Sequence, residues 1–171
     1  TALGLTPGLF NINGSFTAST PAAHKYMVIM TTTSTPPTAP VDGINYPVGT
    51  TSLGGVVVSN SNYTTYNATG LTPGTQYWFW VYAYNNLCTG GPLYATGAPL
   101  TNTIFTTSCS LTGIKTVGPT GDYPTLTAAI SAVNSLGLAA PVALEIQTTY
   151  DGTGETFPIV INTPPCASPT N

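Results

Sequence analysis

The sequence predicts a mainly β protein: a β-sandwich over residues 1–108, then a small α/β segment with one helix over residues 109–171. Three observations carry this expectation. Charged residues make up 4% of the chain, against about 25% in an average protein, while threonine alone is about a fifth of it. β-branched and aromatic residues in such abundance favour pleated strands over helices or disorder. As far as residue 108, short runs with a period of two alternate with Gly, Pro and Asn turn signals. A single stretch, 125–136, keeps the helical period instead.

In order along the chain, Phe10, Ile12, Phe16 and Ala18 share one face of a first patterned strand. Tyr26, Val28 and Met30 share one face of the next. The proline-rich stretch Thr35–Pro40 cannot be a central strand, because proline donates no ladder hydrogen bond. Further strands are expected at Val56–Val58 and Tyr63–Ala68. Leu71-Thr72-Pro73-Gly74-Thr75-Gln76-Tyr77 then leads straight into the alternating run Trp78–Asn85.

That Leu-x-Pro-Gly-x-x-Tyr turn followed by an alternating strand and Asn resembles the E–F corner and F strand of a fibronectin type III domain. The resemblance extends over about residues 1–107 and implies a fibronectin-III/immunoglobulin-like sandwich. It makes Tyr77 the corner tyrosine, whose hydroxyl returns to backbone upstream. The insert after Met30, through Asp42, Gly43 and Tyr46, is similar to variants in secreted bacterial multidomain proteins. One departure is Phe16, which stands where the family carries a tryptophan.

The second segment begins with a short strand, Ile114–Val117, and a turn, Gly118–Gly121. Leu126, Ile130, Val133 and Leu136 fall near one face of a helix over Thr125–Leu136, with Pro124 at its entrance and Gly137 to cap its end. Strands are expected at Pro141–Thr148, with Val142, Leu144 and Ile146 on one side, and at Phe157–Ile161. A proline-rich tail follows. The run from Val117 through Ile130, then an apolar strand, Tyr150 and Glu155, resembles the opening cap of right-handed parallel β-helix proteins such as pectin esterases and pectate-lyase-like proteins. In those enzymes the catalytic carboxylates sit on later coils, so the resemblance implies a fold element and no activity.

Catalytic candidates are sparse. His24, the single histidine, sits in a turn beside Lys25 and reads as a solvated loop residue rather than part of a Ser-His-Asp assembly. Asp122, Glu145, Asp151 and Glu155 are the candidate carboxylates. Only Asp151 and Glu155 are close in sequence, in a Gly-rich turn that reads as an ordinary hairpin with Glu155 solvated rather than a calcium loop. No C-x-x-C spacing suggests zinc. The sequence therefore points to no enzyme, no metal and no cofactor.

The outward positions of the aromatic strand are more informative. If Tyr77, Phe79, Val81 and Ala83 face the core, Trp78, Trp80, Tyr82 and Tyr84 face outward, joined by Met27 and Ile29 of the neighbouring strand. Such a patch is rarely left open. Three covers are consistent with it: a protein interface, a stacked carbohydrate, or the 109–171 segment of the same chain. Cys88 and Cys109 are expected near opposite ends of the sandwich, so Cys109 with Cys166 is the favoured disulfide, leaving Cys88 over; sequence alone leaves the connectivity open.

With two lysines, no arginine and five acidic residues, the chain is a poor partner for nucleic acid. No apolar run approaches the ~18 residues of a membrane-spanning helix. A surface this short of charge calls for sugars or subunit contacts to stay in solution. Candidate glycosylation sites are the sequons at Asn13, Asn62 and Asn67, and O-linked positions Thr31, Thr32, Thr33, Thr35 and Thr38. A chain that starts at Thr1, with neither Met nor an apolar leader, is what a processed secreted protein would present. The expectation is an extracellular or cell-surface structural subunit that binds copies of itself head to tail in a filament or surface layer and carries covalent glycans. The alternative is an accessory carbohydrate-binding or adhesive fragment of a larger secreted β-helix enzyme.

Overall fold

The computed structural model describes residues 2–168. The chain divides into two compact units, Thr1–Thr107 and Ser108–Asn171, and each is taken by itself.

The first unit is a two-sheet β-sandwich. One sheet has three antiparallel strands in the order β1 (Leu3–Pro7), β2 (Asn11–Phe16) and β6 (Thr65–Thr69). The other runs β4 (Thr51–Ser52), β5 (Gly55–Ser61), β3 (Lys25–Thr31), β7 (Gln76–Asn85) and β8 (Leu93–Tyr94), with β9 (Leu100–Phe105) also paired to β7. The period of two decides what lies between the sheets. Ile12 and Phe16 of β2, Tyr66 and Ala68 of β6, Tyr26 and Val28 of β3, and Tyr77, Phe79 and Val81 of β7 form one buried cluster. Phe16 meets Tyr26 edge-on at 5.0 Å between ring centroids. Phe10 and Ala18, expected inside, flank β2 and are exposed.

The corner before β7 has the expected hydrogen bond: the Tyr77 hydroxyl accepts from the backbone N–H of Thr72 at 3.0 Å. Thr106 seals the same corner. Its Oγ1 donates to the Thr72 carbonyl at 2.6 Å and accepts from the Thr75 N–H at 3.0 Å.

The second unit is built on one β-α-β passage. β10 (Leu111–Val117) and β11 (Leu138–Ile146) are parallel neighbours, and helix α1 (Leu126–Leu136) connects them. Parallel strands need such a crossover. Helix α1 starts on Thr125, whose side chain accepts from the Ala128 N–H. It ends at Gly137, where φ is 69°. Glycine adopts that left-handed backbone freely, and here it also makes room: a Cβ would lie 2.6 Å from Cys109 Sγ and 2.8 Å from the Pro165 carbonyl oxygen. Among the described residues of this unit the buried apolar side chains are only Leu111, Val117, Ala129, Ile130 and Val133. Cys109 and Cys166 form a disulfide across this small core, and Cys88, in the first unit, is free and exposed.

One expected strand is absent. Residues 157–161 take no strand conformation. Pro158 has no N–H to give to a ladder, and Phe157, Val160 and Ile161 are exposed.

Candidate functional site

Strand β7 alternates as its sequence requires, but its outer side is not open. Trp80, Tyr82 and Tyr84, with Met27 and Ile29 of β3, are at most 8% exposed. They form a second buried cluster with Val57, Tyr46 and Tyr94, against which Trp78 and Leu53 pack. These six side chains were expected at an interface, under a sugar, or beneath the 109–171 segment. The finding corrects that: the cover comes from the same unit, the long connection between β3 and β4.

Hydrogen bonds fix this cover in place. The Thr38 N–H donates to the Leu53 carbonyl at 2.8 Å and the Gly43 N–H to the Pro92 carbonyl at 2.8 Å. The Tyr46 hydroxyl accepts from the Val41 N–H, and its carbonyl accepts from Asn60 Nδ2. Its ring lies 6.0 Å from that of Tyr94. The Tyr94 hydroxyl donates to the Ile44 carbonyl at 3.0 Å, and its N–H donates to Asp42 Oδ1 at 2.8 Å. Trp80 Nε1–H donates to Thr31 Oγ1 at 3.2 Å, and the Tyr84 hydroxyl bonds Asn60 Oδ1. Burial, reinforced by the nearby Tyr84, Tyr46 and Asp42, pushes the Tyr94 phenol up to about 12. Burial also raises Tyr82 and, against its bond to Asn60, Tyr84.

The cover is incomplete. Between the loop 36–42 and the segment 94–101 a cleft of about 650 Å³ reaches Trp80, Tyr82 and Tyr94. Its walls include Pro37 and Pro99, and Asp42 also lines it.

Of the candidate glycosylation positions, Thr31 is corrected. It is 5% exposed, and its hydroxyl, which donates to the Thr33 carbonyl, accepts from Trp80. Thr32, Thr33, Thr35 and Thr38 are exposed, as are Asn13, Asn62 and Asn67. Asn13 and Asn67 are direct cross-strand partners, so both sequons share the outer face of the three-stranded sheet.

Of the candidate carboxylates, Asp122, Asp151 and Glu155 hold backbone N–H groups, and Glu145 is exposed. Glu155, expected in solvent, caps helix α1. Its Oε1 accepts from the Leu126 N–H at 2.6 Å and its Oε2 from the Thr127 N–H at 2.8 Å, and the Thr127 hydroxyl bonds it too. Helix N-termini present unpaired N–H groups and positive potential. Desolvation works to raise the Glu155 carboxyl, but the bonds from Thr127 and Leu126 together hold it below its ordinary value. Asp122 accepts from the Thr116 N–H and hydroxyl at 2.8 and 2.9 Å, tying down the turn after β10, and those bonds lower it. Asp151 accepts from the Thr153 N–H at 2.9 Å. His24 is half-buried rather than solvated, and its Nδ1 has no partner among the described residues. No three His, Cys, Asp or Glu side chains among those residues gather as a metal site.

No family model matches the chain, and no curated protein matches it. Among solved structures it is similar to a β-sandwich protein from a computer-based redesign of β-sheets, at 16% identity and a TM-score of 0.45, over 64% of this chain and 95% of that one. The sandwich assignment rests on the sheets themselves.

Proposed function

We propose that this chain is an extracellular, non-catalytic structural subunit that associates head to tail with copies of itself and carries covalent glycans. In this reading the first unit is a fibronectin-III-like sandwich and the second is the opening cap of a right-handed parallel β-helix. The observation that carries it is the incomplete second unit. Among the described residues its parallel sheet has two strands, β10 and β11, and Ile114, Ile146, Phe157, Val160 and Ile161 are between 46% and 77% exposed. An unpaired strand edge with apolar neighbours invites another strand, and contact between unlike surfaces propagates unless it closes a ring. The non-catalytic part of the reading is supported by the carboxylates, of which Asp42, Asp122, Asp151 and Glu155 each hold backbone N–H groups. The adjacent exposed sequons at Asn13 and Asn67 support the glycan part.

The test is negative-stain electron microscopy of natively purified protein with intact-mass analysis of the same sample. Regular fibres and a mass above 17.5 kDa are expected. Single small particles at the bare polypeptide mass would refute assembly and favour the second reading, an accessory fragment whose open β11 edge is met by further coils of a larger secreted enzyme.

A further inference from the structure

We propose that an apolar pocket in the first unit of one copy takes the Phe157 side chain of the next, a contact that rests on the head-to-tail reading and names its two halves. The pocket originates at the edge of β7. The Ala95 N–H donates to the Ala83 carbonyl at 2.9 Å, and Leu100 is already the register partner of Val81. Residues 96–99 therefore bulge away opposite Tyr82 alone. Between this bulge and the end of β2 lies a cavity of about 190 Å³. Its lining runs from buried Phe16 and Val81 to partly exposed Ala83, Pro99 and Leu100, with exposed Ala98 at the mouth.

Size and polarity select the occupant. An apolar cavity of about 150 Å³ takes up benzene, so this one admits a single phenyl ring. No charged side chain lines it. Of its hydroxyls, Tyr26 accepts from the Ser19 N–H at 3.1 Å, Ser19 accepts from the Ala23 N–H at 3.0 Å, and Thr17 is exposed. A polar occupant would leave its own groups unanswered there. Phe157 has the matching chemistry. It is 77% exposed, and its segment is fastened to α1 on both sides of the ring. The Thr156 N–H donates to Thr127 Oγ1 at 3.1 Å. Asn134 Nδ2 donates to the Val160 carbonyl at 3.0 Å, and Asn134 Oδ1 accepts from the Asn162 N–H at 3.2 Å. A ring held out in this way loses little freedom on docking. A knob and a pocket on different parts of one chain make a heterologous contact, which propagates unless it closes a ring.

Two full-length variants separate the halves. Phe157→Ser removes the ring and Ala98→Trp fills the mouth of the pocket. Both replace exposed side chains, so their thermal melts should match the parent. If Ala98→Trp melts lower, Gly97→Trp replaces it, since a Cβ at Gly97 meets nothing within 4 Å. Assembly is followed by analytical ultracentrifugation and negative-stain electron microscopy. Each variant alone should stay as single subunits to about thirtyfold above the concentration at which the parent forms fibres. Mixed in equal amounts, the two should form dimers and nothing longer, because one intact knob meets one intact pocket. The contact is overturned if either variant forms fibres at the parent's threshold, which leaves head-to-tail assembly standing on other surfaces. It is equally overturned if the mixed variants stay monomeric. A parent that itself forms no fibres refutes the assembly reading and this contact with it.

Discussion

Removing the Cys109–Cys166 disulfide should unfold the second unit and leave the first intact. The two cysteines are 57 residues apart in sequence, and closing a loop of that length removes about 4 kcal/mol of chain entropy from the unfolded state. Little else in that unit can offset such a loss. Its buried apolar side chains are Leu111, Val117, Ala129, Ile130 and Val133, and domains of this size have marginal cores. The bridge also holds the tail where the Pro165 carbonyl accepts from the Leu138 N–H at 2.9 Å, at the start of β11. The variant is Cys109→Ser with Cys166→Ser, in a Cys88→Ser background that prevents exchange. Two signals separate the units. Trp78 and Trp80, the chain's two tryptophans, both lie on β7, so their fluorescence reports the sandwich. Circular dichroism at 222 nm follows α1, the one helix among the described residues. The helix melt should fall by roughly 15–30 °C, or be lost altogether, with the tryptophan melt unmoved. Equal shifts in both signals, or none in either, would refute the reasoning.

Three further outcomes follow from single side chains. The Tyr66 hydroxyl is buried with no hydrogen-bond partner among the described residues, so Tyr66→Phe should raise stability by about 1 kcal/mol in urea denaturation followed by fluorescence; a loss of that size would mean the hydroxyl is partnered. Tyr77→Phe, which strands the Thr72 N–H, should cost about 1 kcal/mol in the same assay, and a neutral result would show that the corner is held by packing alone. Because the Glu155 carboxyl is depressed in the folded state, the stability it contributes is complete above its ordinary value of 4.5 and is lost as pH falls through the lower folded value. Glu155→Gln should therefore flatten the acid dependence of the 222 nm melt, incompletely because Asp122 and Asp151 are depressed too, and an unchanged acid slope would argue against the cap.

How legible the molecule is from its sequence depends on how local each signal is. The two faces of β7, the corner at Tyr77 and the limits of α1 follow from spacings within a dozen residues, and all are found. The cover over the outer face is a different matter. It is made by a stretch of Thr, Pro and Gly with one buried ring, Tyr46, and its grip lies in backbone hydrogen bonds that leave no periodic trace. Glu155 likewise caps a helix whose first residues lie 28 and 29 positions earlier, beyond any local capping pattern. Phe157–Ile161 shows the converse error, since an apolar run has the composition of a strand whether or not a partner edge exists. The cleft leaves no trace in the sequence because it is the gap between two loops, and of its lining only Trp80 and Tyr82 stand out, in the pattern of β7.

The burial of β7 on both sides also bears on how the chain comes to be folded. Tyr77–Tyr84 is uncharged, free of proline and rich in β-forming side chains, the profile of a segment that pairs with its own kind if left exposed. Its neighbour β3 and the connection that covers its outer face both precede it in the chain. In vectorial synthesis or export from the N-terminus, these protectors emerge before the segment they shield, and only β8 and β9 are still to come. A circular permutant that begins at β7 would keep every contact of the finished sandwich and lose that order of appearance. It should aggregate during expression while matching the parent in stability once refolded at high dilution.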